Sequence, residues 1–159
     1  VSIVRPFNTY GPRQSARAII PTIITQALSG RDELHLGNLT PTRDLNYVKD
    51  VAKGFAAIAR CDAAIGEEIN IASGREISMG DLVDKLLAIL DSNARVVVEK
   101  DRIRPDKSEV ERLVGDNSKI RSISAWRSQI DLDTGLKHTV GWLKDPANLA
   151  KYKDMIYNV

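Results

Sequence analysis

At 159 residues the chain is long enough for one ordinary domain with a buried core. Its 43% hydrophobic and 28% charged residues fit a globular protein in water. No apolar run approaches the roughly 18–20 residues of a membrane span, and a net charge of +2 is too small to argue for nucleic acid.

The charge is unevenly placed. From Val1 to Arg60 there are eight Lys/Arg against four Asp/Glu, an excess of four, and several of these arginines stand beside Gly or Pro in expected loops. That pattern suits a small anionic ligand better than a nucleic-acid groove, which needs a broader basic surface. The single cysteine, Cys61, can form neither an intrachain disulfide nor a multi-cysteine metal site, and it reads as a small core or helix-end residue. His35 and His138 form no ligand motif. A cytoplasmic setting fits this composition.

In chain order, Val1–Arg5 reads as a buried strand ending at Pro6. A domain rarely opens inside its own core strand, and no signal-peptide pattern is read there, so the start is expected to be a truncation. Phe7–Arg13 is a loop with Gly11-Pro12 as its turn. Ile19, Ile20, Ile23, Ile24, Ala27 and Leu28 repeat at helical spacing, predicting a helix over about 17–28, with Pro21 in its first turn and Gly30 after its end. Leu34–Leu36 is a short strand, and Arg43–Val48 another. Val48, Val51, Ala52, Phe55 and Ala59 then share one helical face through Arg60. Glu68–Ala72 is a strand. Ser78 and Asp81 resemble a capping box opening a helix with Met79, Leu82, Val83, Leu86, Leu87 and Leu90 on its core face. Arg95–Glu99 and Val110–Val114 are strands, and Asp116 caps a brief helix through Ile120. Leu132, Leu136, Val140 and Leu143 mark a last long helix. Asp145-Pro146 breaks it, and a short tail helix follows. The alternation of strands and helices argues an α/β fold.

What the residues omit matters for function. The sequence holds no GxGxxG or related phosphate loop, no Cys/His metal spacing and no GxSxG. None of Tyr10, Tyr47, Tyr152 and Tyr157 has a lysine four residues later, the spacing of a short-chain dehydrogenase acid/base pair. The chemistry-bearing groups that remain are arginines and amides in loops. Asn8 stands just beyond a strand end, where open α/β sheets bind ligands, and it either donates to a phosphate or sugar oxygen or braces the turn before Gly11. Arg43 either forks onto a diphosphate or joins an ion pair. Arg104, held extended by Pro105, either projects into a cleft or belongs to a solvated charge run. His35, Phe7 and Trp126 read more readily as strand-edge and core residues than as recognition groups.

The ordered series Arg5-Pro6-Phe7-Asn8-Thr9-Tyr10-Gly11-Pro12-Arg13-Gln14, Ile20-Pro21, Leu36-Gly37, Arg43-Asp44 with Tyr47-Val48-Lys49-Asp50, Asn70 to Gly74, Arg104-Pro105 with Glu109-Val110, and Asp116, Lys119, Trp126 resembles the second half of extended short-chain dehydrogenase/reductases, the NAD-dependent nucleotide-sugar epimerases and dehydratases. It holds over residues 1 to about 144 and is most similar to UDP-N-acetylglucosamine 4,6-dehydratases of the legionaminic acid type; Arg104-Pro105, Glu109-Val110, Leu113 and Gly115-Asp116 are also similar to GDP-mannose 4,6-dehydratases. Ser124-Ala125-Trp126 departs from the family's Leu-Gly-Trp, at a turn. The resemblance implies the C-terminal portion of a Rossmann-like fold. Its last core strand or strands would join a small substrate-binding α/β subdomain over 1–144, with a tail helix over 145–159. It implies that Asn8, Arg43 and Arg104 bind the substrate diphosphate or sugar. Arg17, Ala18 and Leu34 to Leu36, with Leu34 and Leu36 acting partly through backbone groups, would line the nucleobase pocket. Pro6 and Phe7 would approach the nicotinamide of NAD, itself held mainly by residues outside these 159. It further implies a UDP-sugar partner, a 4,6-dehydratase or 4-epimerase activity in the parent protein, which is commonly a homodimer, and no catalytic residue here. A non-catalytic nucleotide-sugar-binding module and a stable domain without ligand remain as alternatives.

Overall fold

The computed structural model describes residues 1–102 and 109–152. Nine short strands and six α-helices alternate among them: β1 (Ile3–Pro6), β2 (Thr9–Tyr10), α1 (Ile19–Leu28), β3 (Glu33–Leu36), β4 (Thr42–Arg43), β5 (Asn46–Tyr47), α2 (Val48–Ile58), β6 (Glu68–Ile71), β7 (Ile77–Ser78), α3 (Met79–Leu90), β8 (Arg95–Val98), β9 (Arg112–Leu113), α4 (Ser118–Ile123), α5 (Leu132–Leu143) and α6 (Pro146–Leu149). Three parallel pairs, β1–β6, β2–β5 and β3–β8, accompany a three-stranded sheet in the order β7-β4-β9, where β4 runs antiparallel to β7 and parallel to β9. The fold is α/β, as the alternation predicts.

Two apolar clusters hold it together. The larger joins α1, α3 and α5 through Ile20, Ile23, Ile24, Leu82, Leu86, Leu136, Val140 and Leu143, and takes in Leu34 and Leu36 of β3. These are the positions the 3.6-residue period selects. The smaller gathers Val51 and Ile58 of α2, Ile69 and Ile71 of β6, Ile120 and Trp126. Ser78 caps α3 as its spacing predicts, its Oγ accepting from Asp81 N at 3.0 Å and donating to Asp81 Oδ2 at 2.7 Å. Asp145 caps α6, accepting from Ala147 N at 2.8 Å, with Pro146 in the first helical position. Asp116 accepts from Ser118 N at the start of α4.

Three expectations need correction. β1 is largely exposed, Ile3 at 49%, because β6 is its only strand neighbour among the described residues. The stretch Arg43–Val48 is not one strand: it divides into β4 and β5 at Asp44, which is fully buried and pulls the backbone into a corner. On α2 the inward face is Asp50, Val51, Gly54 and Ile58, while Ala52, Phe55 and Ala59 are exposed. The stripe is set about a quarter turn away by Asp50 and by Gly54, against which the Ile71 side chain packs so closely that a Cβ would meet its Cδ1 at 2.7 Å. Trp126 is a core residue, its Nε1 donating to Asp50 O at 2.9 Å. Cys61 is half-buried beside the second cluster.

Candidate functional site

The loop after β1 carries Asn8, whose carbonyl accepts from Asn46 N at 2.9 Å and whose Nδ2 donates to Asp44 O at 3.5 Å, so the β4–β5 corner fixes it on both sides. The chain next turns through Gly11 and Arg13, both at positive φ, and delivers Arg17 and Ala18 at the start of α1. Strand β4 brings Arg43 alongside. These four residues and Leu36 at the end of β3 line one cavity of about 320 Å³, closed further by Gln14, His35, Met79, Arg102 and Glu109.

Asp44 makes this convergence possible. Its Oδ1 accepts from Ser73 N, Ser73 Oγ and Asn46 Nδ2, and its Oδ2 accepts from Gly74 N at 2.9 Å and Gly115 N at 3.2 Å. One buried carboxylate thereby ties the loops after β6 and β9 to the corner between β4 and β5. A buried charge is tolerated only with such a full set of donors.

The guanidinium of Arg43 is held rather than free. Its Nη2 donates to Glu109 Oε1 at 2.8 Å, and its Nη1 donates to Thr42 O at 2.9 Å and Val110 O at 2.5 Å. Arg102 donates from Nε to Glu99 Oε2 at 2.5 Å, and the same carboxyl, through Oε1, lies 2.7 Å from His35 Nδ1. The Arg102 guanidinium, then His35, hold Glu99 below the usual glutamate range. Arg17 remains exposed at the cavity mouth.

Of the β3 segment expected on the nucleobase side, only part lines this cavity. Leu34 is fully buried in the main core and does not line the cavity. The backbone groups are engaged as well: His35 N donates to Gln26 Oε1 at 2.8 Å, His35 O accepts from Gln26 Nε2 at 3.2 Å, and Leu36 O accepts from Glu99 N at 2.9 Å. The amide of Gln26 acts as a neighbouring strand would, so the His35 side chain, expected only at a strand edge, is what β3 offers to the cavity together with Leu36. Pro6 and Phe7 lie at the end of β1 outside this cavity, with the Phe7 ring packed over Gly115. Arg104 lies outside the described residues.

A second cavity of about 720 Å³ opens on the other face of the β7-β4-β9 sheet, where Thr42 points because alternate strand residues face opposite sides. It is larger, but its charged lining is mixed: Glu76, Asp81 and Asp84 offset Arg75 and Lys85, and Lys85 is bound to Asp133 at 2.9 Å. A polyanion is better served by the smaller site. The Tyr10 hydroxyl is turned into the core: burial first, then Tyr47 and nearby carboxylates, hold it well above the usual tyrosine range, and it donates to Leu132 O.

Residues 1–139 match the family model described as GDP-mannose 4,6 dehydratase. The chain belongs to this family. Its homologues are NAD-dependent nucleotide-sugar dehydratases and epimerases of the extended short-chain dehydrogenase/reductase class. It is 32% identical over 154 residues to the UDP-N-acetyl-alpha-D-glucosaminuronate decarboxylase of Bacillus cytotoxicus, covering 93% of this chain and 47% of that protein. Among solved structures it is similar to an epimerase from Methanothermobacter thermautotrophicus, with a TM-score of 0.84 at 27% identity over 94% of this chain and 45% of that one. It is also similar to the UDP-glucuronic acid 4-epimerase of Bacillus cereus in complex with UDP-glucuronic acid and NAD, with a TM-score of 0.80 at 28% identity over 90% and 45% of the two chains. The chain thus spans about half the length of the family members it matches. Among the described residues no helix is long and apolar enough to cross a membrane.

Glu109 and Arg102 line this cavity and Gln26 and Asp44 brace its walls, yet none of the four is expected as a site member from the sequence. The available signals were weak. Arg102 lies two residues from Arg104 in the same basic loop, and Glu109 lies within the matched motif. Nothing local distinguishes Gln26 from any other helix residue.

Proposed function

We propose that this chain forms the nucleotide-diphosphate-sugar-binding part of an NAD-dependent sugar-nucleotide 4,6-dehydratase acting on UDP-N-acetylglucosamine in the cytoplasm, within a homodimeric parent enzyme. The observation that carries the reading is that Asn8, Arg17 and Arg43, brought from three separate segments, line one cavity. A guanidinium and an amide meet diphosphate oxygens, and the rest of the cavity accepts the nucleoside. In this reading Arg104 adds a second guanidinium to the diphosphate.

NAD, if bound, would supply hydride-transfer chemistry toward the sugar C4, with Pro6 and Phe7 placed to lie against its nicotinamide. The residues present fit a partial cofactor contact: Phe7, half-buried at the C-terminal end of β1, retains ring surface beside Pro6 for the nicotinamide. The chain's own contribution is to hold the nucleotide end so that the sugar is presented at a fixed distance from the reacting atoms, converting remote binding energy into orientation. A 4-epimerase is the second reading, favoured by the structural likeness to the Bacillus cereus 4-epimerase.

Calorimetric titration of the chain with UDP, UDP-N-acetylglucosamine and GDP tests the proposal. Saturable binding of the uridine ligands, stronger than that of GDP, is expected. Binding that appears only in the full-length parent protein keeps the reading of this chain as one part of the enzyme, and absence of binding by all three even there would remove the nucleotide-sugar assignment.

A further inference from the structure

We infer that Glu109 is a specificity-determining residue of this cavity: it is a built-in counter-ion of Arg43 that turns away small free anions and yields to a ligand bringing a nucleoside along with its diphosphate. The inference rests on the nucleotide reading above. The contact is well sheltered, with side-chain exposures of 14% for Arg43 and 11% for Glu109 at 2.8 Å. Both residues line the cavity, and the guanidinium's other contacts go to the Thr42 and Val110 carbonyls. A carboxylate of the chain therefore already sits where an anionic ligand would meet Arg43. Arg102, on the same wall, arrives paired in the same manner with Glu99.

An incoming phosphate or pyrophosphate must displace a tethered carboxylate, whose effective concentration is high. Once displaced, Glu109 remains as a like charge close to the ligand in a partly desolvated site, where repulsion is stronger than in water. A small anion has nothing to set against this. The nucleoside of a nucleoside diphosphate anchors it elsewhere on the cavity wall, so its phosphates can settle away from Glu109, whereas pyrophosphate has no second anchor and meets the repulsion in full.

The test is calorimetric titration of the full chain and its Glu109→Gln variant with inorganic pyrophosphate and, separately, with UDP. Glutamine keeps the size and an oxygen acceptor for Arg43 but removes the charge. Pyrophosphate is expected to bind about fivefold or more tightly to the variant, with a smaller change for UDP, so that the preference for UDP narrows. Unchanged or weaker pyrophosphate binding would overturn the role of Glu109. Wild-type UDP binding reports on the nucleotide reading independently. Tighter pyrophosphate binding without any UDP binding keeps the filter and removes the nucleotide, whereas UDP binding with unchanged pyrophosphate binding does the reverse. If thermal melting shows that the glutamine variant does not fold, Glu109→Asp withdraws the carboxylate by one methylene. Tighter pyrophosphate binding is again expected of it, and no change overturns the inference.

Discussion

Arg43 and Asp44 are adjacent in the chain yet face opposite demands. Arg43 lines a solvent-connected cavity, whereas Asp44 is fully buried and accepts from the Ser73, Gly74 and Gly115 backbone amides. Replacing Asp44 by Asn removes the charge that strengthens those bonds and puts an NH2 group against donors. Asp44→Asn is expected to cost about 2–4 kcal/mol of unfolding free energy, measured by urea denaturation, and to weaken UDP binding because the β4–β5 corner loosens. Arg43→Ala leaves the fold's main clusters intact and is expected to weaken UDP binding by about tenfold, more than 1 kcal/mol, by calorimetry. Unchanged affinity would remove Arg43 from the site. At Gln26 the side chain satisfies both backbone groups of His35, so Gln26→Ala leaves a donor and an acceptor without partners. A loss of about 1–3 kcal/mol is expected in denaturant unfolding, with faster hydrogen exchange at the His35 amide.

At the scale of elements, the helices were readable and the strand corners were not. The cores of α1, α3 and α5 follow the apolar period, and Ser78 announces a helix start by local capping chemistry. The face of α2 was misread because its packing is decided by a buried acid and a glycine, Asp50 and Gly54, which an apolar count does not register. The division of Arg43–Val48 was equally hidden, since the backbone amides that the Asp44 carboxylate accepts from come from positions 29 to 71 residues away. For the site, loop arginines and Asn8 signalled an anion locally. Glu109 and Gln26 act through contacts that exist only once distant segments are packed. A further consequence concerns α5: Gly135 lies against the Tyr10 hydroxyl, leaving no room for a Cβ. Gly135→Ala is expected to lower stability by about 1–3 kcal/mol through overpacking, read as a fall in thermal midpoint.

Across the whole molecule, several carboxylates are held in their ionised form by nearby cations, hydroxyls and amides. Glu67 is held below its usual range by Lys119, Glu76 first by Arg112 and then by Thr42, and Glu99 first by Arg102. Asp116 and Asp131 are lowered by the amides of Ser118 and Thr134 at helix starts. For each group the folded state favours the ionised form. Their contribution is therefore present above the ordinary values of 4.5 for Glu and 3.8 for Asp and is lost as pH falls below them. The thermal midpoint is expected to hold near neutrality and to drop as pH passes below that range, more steeply at low salt for the exposed pairs.

The central claim is that residues scattered over the sequence meet around one nucleoside diphosphate, on the Arg43 face of the β4 strand and not on its Thr42 face. Amide chemical-shift mapping of the 15N-labelled chain titrated with UDP tests this most directly. The account predicts saturable shifts at Asn8, Arg17, Ala18, Leu36 and Arg43 with a common dissociation constant. Shifts confined to Ser73, Ser78 and Asp84 around the larger opposite cavity, or none at saturating UDP, would contradict it.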